Sequence, residues 1–144
     1  MKILTVEAYI LNTGKPAFRP VVTRILTDEG IVGYGEASLG FSSGPEGALG
    51  MIREIAPLVI GMDPMANEAV WNRMYYDSFW GQGGGAAVMS AISAIDIAVW
   101  DIRGKALGVS VGTLLGGKIR NRLRCYASQI QFGWSDAGIT DGKG

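Results

Sequence analysis

Residues Ala86–Leu107 read AAVMSAISAIDIAVWDIRGKAL, and this stretch decides the fold. Its first 17 residues, Ala86 to Ile102, are nearly all apolar, yet they include Asp96 and Asp101. A membrane span needs roughly 20 apolar residues, and a carboxylate near its centre costs about 2.5–3.5 kcal/mol. The stretch therefore predicts a helix buried in a protein core, with no membrane as partner. Asp101 and Lys105 stand four apart with the acid N-terminal, the better orientation for a helical ion pair. A buried Asp96 needs a partner, and Arg103, seven residues on near the same face, is the candidate.

Upstream, Gly81-Gln82-Gly83-Gly84-Gly85 breaks the chain before the apolar helix. Backbone N–H groups there could hold an anion. The segment follows a helix rather than a strand, however, and lacks a closing Gly-Lys-Ser/Thr, so a connector between closely packed helices is favoured. Before it, Ser43-Gly44-Pro45-Glu46 fits a capping box with proline in the first turn, and Ile52, Ile55 and Val59 recur at helical spacing. Pro57 should bend or loosen the last turn of that helix, and Gly61 should end it. Asp63-Pro64 predicts the N-cap and first residue of the next helix, whose buried stripe is Trp71, Met74, Tyr75 and Ser78.

The first third predicts a small antiparallel sheet. Leu4, Val6, Ala8 and Ile10 share one face of a strand over Ile3–Leu11, with Thr5 and Glu7 on the other. A second strand spans Val21–Thr27, Asp28-Glu29-Gly30 turns the chain, and a third strand spans Ile31–Ala37. Gly33 and Gly35 fall on one face of that third strand, so another element must lie close against it. Gly33-Tyr34-Gly35 lacks the third glycine of a dinucleotide fingerprint. Between the first two strands, the loop Asn12–Arg19 ends in Phe18 and Arg19, an aromatic cover beside a fork suited to a carboxylate.

Downstream, Leu114-Leu115-Gly116-Gly117 closes the helical section. A strand-like run from Leu123 to Phe132 follows, then a polar, glycine-rich stretch, Gly133–Gly144. That strand has no visible partner after it, so the chain reads as cut. Lys118, Arg120, Arg122 and Arg124 alternate along the approach, which a solvated strand edge explains better than a nucleic-acid stripe. Thirteen basic and 13 acidic residues give no net attraction to nucleic acid. The chain has no His, which removes Ser-His-Asp, Cys-His and His–metal chemistry from within it. Its single Cys125 excludes an internal disulfide and is expected to be a small buried residue. Glu36, Asp96 and Asp101 do not gather three oxygen ligands on one face, so no Mg²⁺ or Ca²⁺ site is expected from their spacing. The N-terminus carries charge by Glu7 and has no long apolar run, so a signal peptide is not expected and the cytoplasm is.

The run Ala91–Gly108 (AISAIDIAVWDIRGKALG) with Leu114-Leu115-Gly116-Gly117 resembles the N-terminal signature of the enolase superfamily, in its mandelate racemase/muconate lactonizing branch. The turn Asp28-Glu29-Gly30, the strand Gly33-Tyr34-Gly35-Glu36-Ala37 and Pro57…Gly61-Met62-Asp63-Pro64 agree with it. Two positions depart: Val99 stands where Leu or Ala is usual, and Ser110 where Pro is common. The resemblance, which covers residues 1–132, implies an α+β capping domain over residues 1–117, a three-stranded antiparallel sheet followed by a helical bundle. Residues 118–144 would be the linker and first strand of a TIM barrel, with Ser128, Gln129 and Gln131 at its active-site end. It further implies that Asn12–Arg19 and Leu39–Pro45 are the loops that cover a substrate, with Phe18, Arg19, Ser42 and Gln131 as its contacts. The parent would be a Mg²⁺-dependent dehydratase or racemase acting on a carboxylic acid, most plausibly an acid sugar, and would assemble as a homo-oligomer. Its metal ligands and acid–base residues would lie in the barrel. A competing expectation is a truncated, non-catalytic binding or oligomerisation module.

Overall fold

The computed structural model describes residues 1–126, 134–135 and 138–139. Three strands, β1 (Ile3–Ile10), β2 (Val21–Thr27) and β3 (Val32–Ala37), form an antiparallel meander in the order β1-β2-β3. Strand β2 lies in the middle and reads most regularly. Val21, Thr23, Ile25 and Thr27 alternate inward and are buried, while Val22, Arg24 and Leu26 face out. Gly30, at φ 79°, makes the turn into β3, and the Thr27 hydroxyl locks it by accepting from the Ile31 N–H at 3.0 Å.

Strand β1 departs from strict alternation. Ile3 pairs with Thr27 and Thr5 with Leu26, so the register shifts at Leu4. A bulge of this kind lets two successive residues escape the pleat. Ile3 is thus fully buried and Leu4 half exposed, which corrects the expectation that Leu4 shares the core face of Val6, Ala8 and Ile10.

The apolar stretch forms helix α3 (Ala86–Leu107) with the expected limits. It starts after Gly84 and Gly85, both at positive φ, and stops at Gly108 (φ 67°), a left-handed cap beyond which the Val109 N–H returns to the Gly104 carbonyl at 3.0 Å. Ala91, Ile92, Ala94, Ile95, Ala98, Val99 and Ile102 have no exposed surface. The helix lies across the sheet against β3, where the two glycines admit it. A Cβ on Gly33 would lie 2.6 Å from Ile102 Cγ1 and closer still to the Ala98 carbonyl oxygen. On Gly35 it would run into the Ala94 carbonyl. The seat is fastened at its edge, where Asp101 accepts from the Tyr34 N–H at 2.9 Å and from Lys105 Nζ at 2.7 Å. Lys105 also donates to the Val32 carbonyl.

Helix α1 (Gly44–Ile55) packs on α3 and β1 through Ala48, Ile52 and Ile55. At Pro57 it tightens into a 3₁₀ turn, Ala56–Leu58, as a proline that removes a helical N–H requires. The chain then docks on β1, with Ile3 and Gly61–Met62 exchanging backbone hydrogen bonds. Asp63-Pro64 does not begin the next helix. The Asp63 carboxylate accepts from the Met65 N–H, a side-chain turn that postpones α2 (Asn67–Asp77) by one turn. Of the expected α2 stripe only Met74 is fully buried, with Trp71 half-buried and stacked on Tyr75 at 4.8 Å. Asn67 and Val70 complete the buried line, and Ser78 lies just past the helix end.

Arg103 does not serve Asp96. It hydrogen-bonds Asn67 on α2 and lies over the Trp100 ring at 4.7 Å. A short helix α4 (Val111–Leu114) follows, capped by the Ser110 hydroxyl, which accepts from the Thr113 N–H. That bond explains serine at this position, since proline cannot cap with a side chain.

Lys118–Tyr126 carries no strand and is exposed throughout, so the expected strand edge does not form there, and Cys125 is exposed rather than buried. No neighbouring strand among the described residues pairs with this segment. Trp134–Ser135 (β4) and Gly138–Ile139 (β5) pair as a separate two-stranded ribbon. The rest of the run expected from Leu123 to Phe132, including Ser128, Gln129 and Gln131, lies outside the described residues. No described helix is long and apolar enough to cross a membrane.

Candidate functional site

Strand β2 begins where the first loop ends and pairs with the end of β3, where the second begins. Val21 faces Ala37 across the sheet. The meander therefore delivers residues 11–20 and 38–43, distant in sequence, to one edge of the sheet. Phe18 and Phe41 form an isolated antiparallel bridge, and their rings meet at 4.9 Å. The Arg19 N–H donates to the Gly40 carbonyl at 2.7 Å. Gly40 has no side chain because the Phe18 ring occupies the place, 2.9 Å from where a Cβ would stand. Inside the first loop, the Thr13 hydroxyl donates to the Phe18 carbonyl at 2.6 Å, and Asn12 accepts from the Gly14 N–H.

Of the four residues expected to contact substrate, three converge here. Phe18 and Arg19 are half-buried, and Ser42 is exposed with φ 53°, a left-handed backbone uncommon for serine. The fourth, Gln131, lies outside the described residues.

The Arg19 fork is already filled. Its two terminal nitrogens donate to Glu46 Oε1 at 2.7 Å and Oε2 at 3.0 Å, and Nη2 also donates to the Ser42 carbonyl at 2.9 Å. Glu46 thereby corrects the expected capping box. Ser43 stands at the N-cap without a side-chain bond to the helix, and the carboxylate three residues later is engaged by Arg19. The bidentate guanidinium, helped by the residue's own backbone N–H, holds the Glu46 carboxyl below the ordinary glutamate range. The partner was hidden in the sequence because 27 residues separate the two charges, and the local spacing offered a sufficient role for the glutamate. Phe41 was likewise only one residue of a loop until the bridge to Phe18 formed.

What this edge presents outward is the Phe41 ring, 57% exposed, and the exposed Ser42 and Ser43. Such a surface can cover and hydrogen-bond a ligand. The open face of the sheet carries a second polar row, in which Glu7 accepts from Arg24 at 2.8 Å and from the Tyr9 hydroxyl at 2.9 Å. Arg24, then Tyr9, hold the Glu7 carboxyl low. A cavity of about 240 Å³ lies away from the loops, between α1 and the end of α2, lined by Met51, Ile55, Leu58, Phe79 and Trp80 among others. Asp96 is half-buried on α3, and burial, reinforced by the charge of Glu68, raises its carboxyl above the ordinary range. Among the described residues no three His, Cys, Asp or Glu side chains gather where they could hold a metal ion.

The N-terminal domain of the mandelate racemase/muconate lactonizing enzymes matches residues 12–116. D-galactonate dehydratase of Verminephrobacter eiseniae is 44% identical over 117 residues, which are 81% of this chain and 29% of that protein. A member of the enolase superfamily from Salmonella Typhimurium superposes with a TM-score of 0.86 at 50% identity, covering 94% of this chain and 34% of its own. An enolase from Pantoea ananatis, solved with bound D-gluconate and magnesium, superposes with a TM-score of 0.73 at 36% identity, over 83% of this chain and 28% of its own. The chain thus spans less than a third of the curated relative's length. By the match over residues 12–116 and these likenesses, the chain belongs to the mandelate racemase/muconate lactonizing enzyme family of the enolase superfamily and carries that family's N-terminal domain.

Proposed function

We propose that this chain is the capping and substrate-specificity domain of a Mg²⁺-dependent acid-sugar dehydratase, with racemisation as the second chemistry open to such a parent. The observation that carries this reading is the convergence of two sequence-distant loops, 11–20 and 38–43, at one sheet edge, bridged by Phe18–Phe41 and Arg19–Glu46. Phe18, Arg19, Ser42 and Gln131 are the residues assigned to the ligand side of the cover. The D-galactonate dehydratase relatives and the gluconate-bound neighbour support an acid sugar as that ligand.

In this reading the Mg²⁺ site and the acid–base residues belong to the part of the relatives that this chain does not span. We set the domain boundary between residues 117 and 118, a reading supported by the two glycines at positive φ after α4 and the exposed chain that follows. We place the parent in the cytoplasm as a homo-oligomer.

The test is Arg19→Ala in a full-length parent. Substrate binding should weaken by roughly ten-fold, about 1.4 kcal/mol, with the fold intact. Unchanged kinetics across the acid sugars that the parent turns over would remove the loops from the site. A second reading, a non-catalytic oligomerisation module, is favoured by the exposure of Phe79 and Trp80, 86% and 67%. Light scattering of the chain over a range of concentrations distinguishes it, because such a module grows in mass with concentration.

A further inference from the structure

The two loops meet through several contacts, and the 38–43 loop is also tied to α1 by the Gly44 N–H, which donates to the Phe41 carbonyl at 3.0 Å. Among the described side-chain bonds, Arg19 to Glu46 is the one that ties the first loop to that helix. The Phe18–Phe41 rings and the Arg19 N–H to Gly40 carbonyl bond join loop to loop. Arg19 to Glu46 joins both of them to α1, whose first turn is fixed by the burial of Pro45 and Ala48 in the core. The order of connection is then helix, Glu46, Arg19, Ser42. The far end of that series is a serine at φ 53°, a conformation that relaxes unless something holds it. Arg19 holds it through the carbonyl at 2.9 Å.

We propose that Glu46 is a positioning residue that makes the loops 11–20 and 38–43 move as one body, by fixing the Arg19 guanidinium that in turn fixes Ser42. A carboxylate is suited to this because it takes both arms of the fork and leaves Nη2 enough reach for a second acceptor. Neither loop can then lift alone. Opening the cover requires breaking the pair, after which the Phe18 ring and the Ser42 turn are released together. For its bearing on ligand entry the proposal rests on the reading of these loops as the cover, whereas the coupling itself does not.

Hydrogen–deuterium exchange on the full chain tests it without any ligand. Glu46→Gln keeps the shape and removes the charge, and Arg19→Lys keeps the charge and removes the fork. In both variants, peptides covering 12–19 and 39–43 should exchange faster by the same factor, roughly two- to five-fold for a half-exposed pair, while α3 peptides keep the wild-type rate. Acceleration of one loop only, or of neither, overturns the coupling. Equal acceleration of α3 overturns it too, because the pair would then hold the domain rather than the loops. Failure of this experiment leaves the cover reading standing, and failure of the Arg19→Ala binding test leaves the coupling standing.

Discussion

Replacing Gly35 by alanine should push α3 off the sheet. The new Cβ would stand 3.0 Å from the Ala94 carbonyl carbon and the Ala98 nitrogen, and nearer still to the Ala94 oxygen. All of these are backbone atoms of α3, so no side chain can rotate away. A helix retreat of roughly 0.5–1 Å forfeits a quarter to a half of each dispersion contact along the seat. Overpacking of this kind costs about 1–3 kcal/mol, and the upper end applies where only backbone can yield. Alanine also stiffens the unfolded chain, which returns about 0.4–1 kcal/mol. The net loss is about 2 kcal/mol, or a fall in melting temperature of roughly 4–8 °C for a domain of this size.

Thermal and urea unfolding followed by circular dichroism would read it. The control is Gly47→Ala, the same change on the exposed side of α1, where a Cβ would meet nothing within 4 Å. That variant should gain about 0.5–1 kcal/mol from helix propensity, so the two substitutions should move the midpoint in opposite directions. Shrinking Ala94 to glycine should not rescue Gly35→Ala, because the obstruction is a carbonyl. A Gly35→Ala midpoint within about 1 °C of the wild type, or above it, would refute the close-seat argument.

Two other substitutions probe buried polarity. Thr23 faces the core from the central strand with its hydroxyl unpartnered, so Thr23→Val should stabilise the chain by about 1 kcal/mol in urea unfolding, and a loss instead would reveal a hidden partner. Asp96→Asn should stabilise at pH 7. The folded carboxyl is raised above 3.8, so its charged form costs stability at neutral pH. That cost fades as pH falls through the raised value and is gone below 3.8, so the gain of the variant should vanish over the same window. A gain that persists in acid would point to a cause other than charge burial.

The large features were legible because they are written in local spacing. A largely apolar stretch of 22 residues between glycines gave α3 its limits, and paired glycines on one face of β3 announced the helix that covers them. Pro57 announced the tightened turn that follows α1. Misplaced features depended on a choice between two local uses of one residue. Asp63 can cap a helix or close a turn on Met65, and Leu4 can alternate inward or be turned out by a bulge. The site was half legible. Phe18 and Arg19 stood out as a pair, but Glu46 had a sufficient local role, and the contact that claims it crosses 27 residues. Arg103 shows the same limit, since Asn67, 36 residues away, takes the hydrogen bond that spacing offered to Asp96.

The seat of α3 on Gly33 and Gly35 has a mechanical consequence for the loop that follows. Side chains that separate a helix from a sheet act as springs, each with several rotamers and some give. Here the main chains themselves abut, and as long as residues 33 and 35 stay glycine the spacing is set by peptide dimensions. Strand β3 is therefore gauged directly against the longest helix. Two residues beyond its end, the 39–43 segment starts from a point that repacking elsewhere in the core leaves where it was. The residues of that segment can then change without moving the point from which it starts, because the datum beneath it is made of backbone.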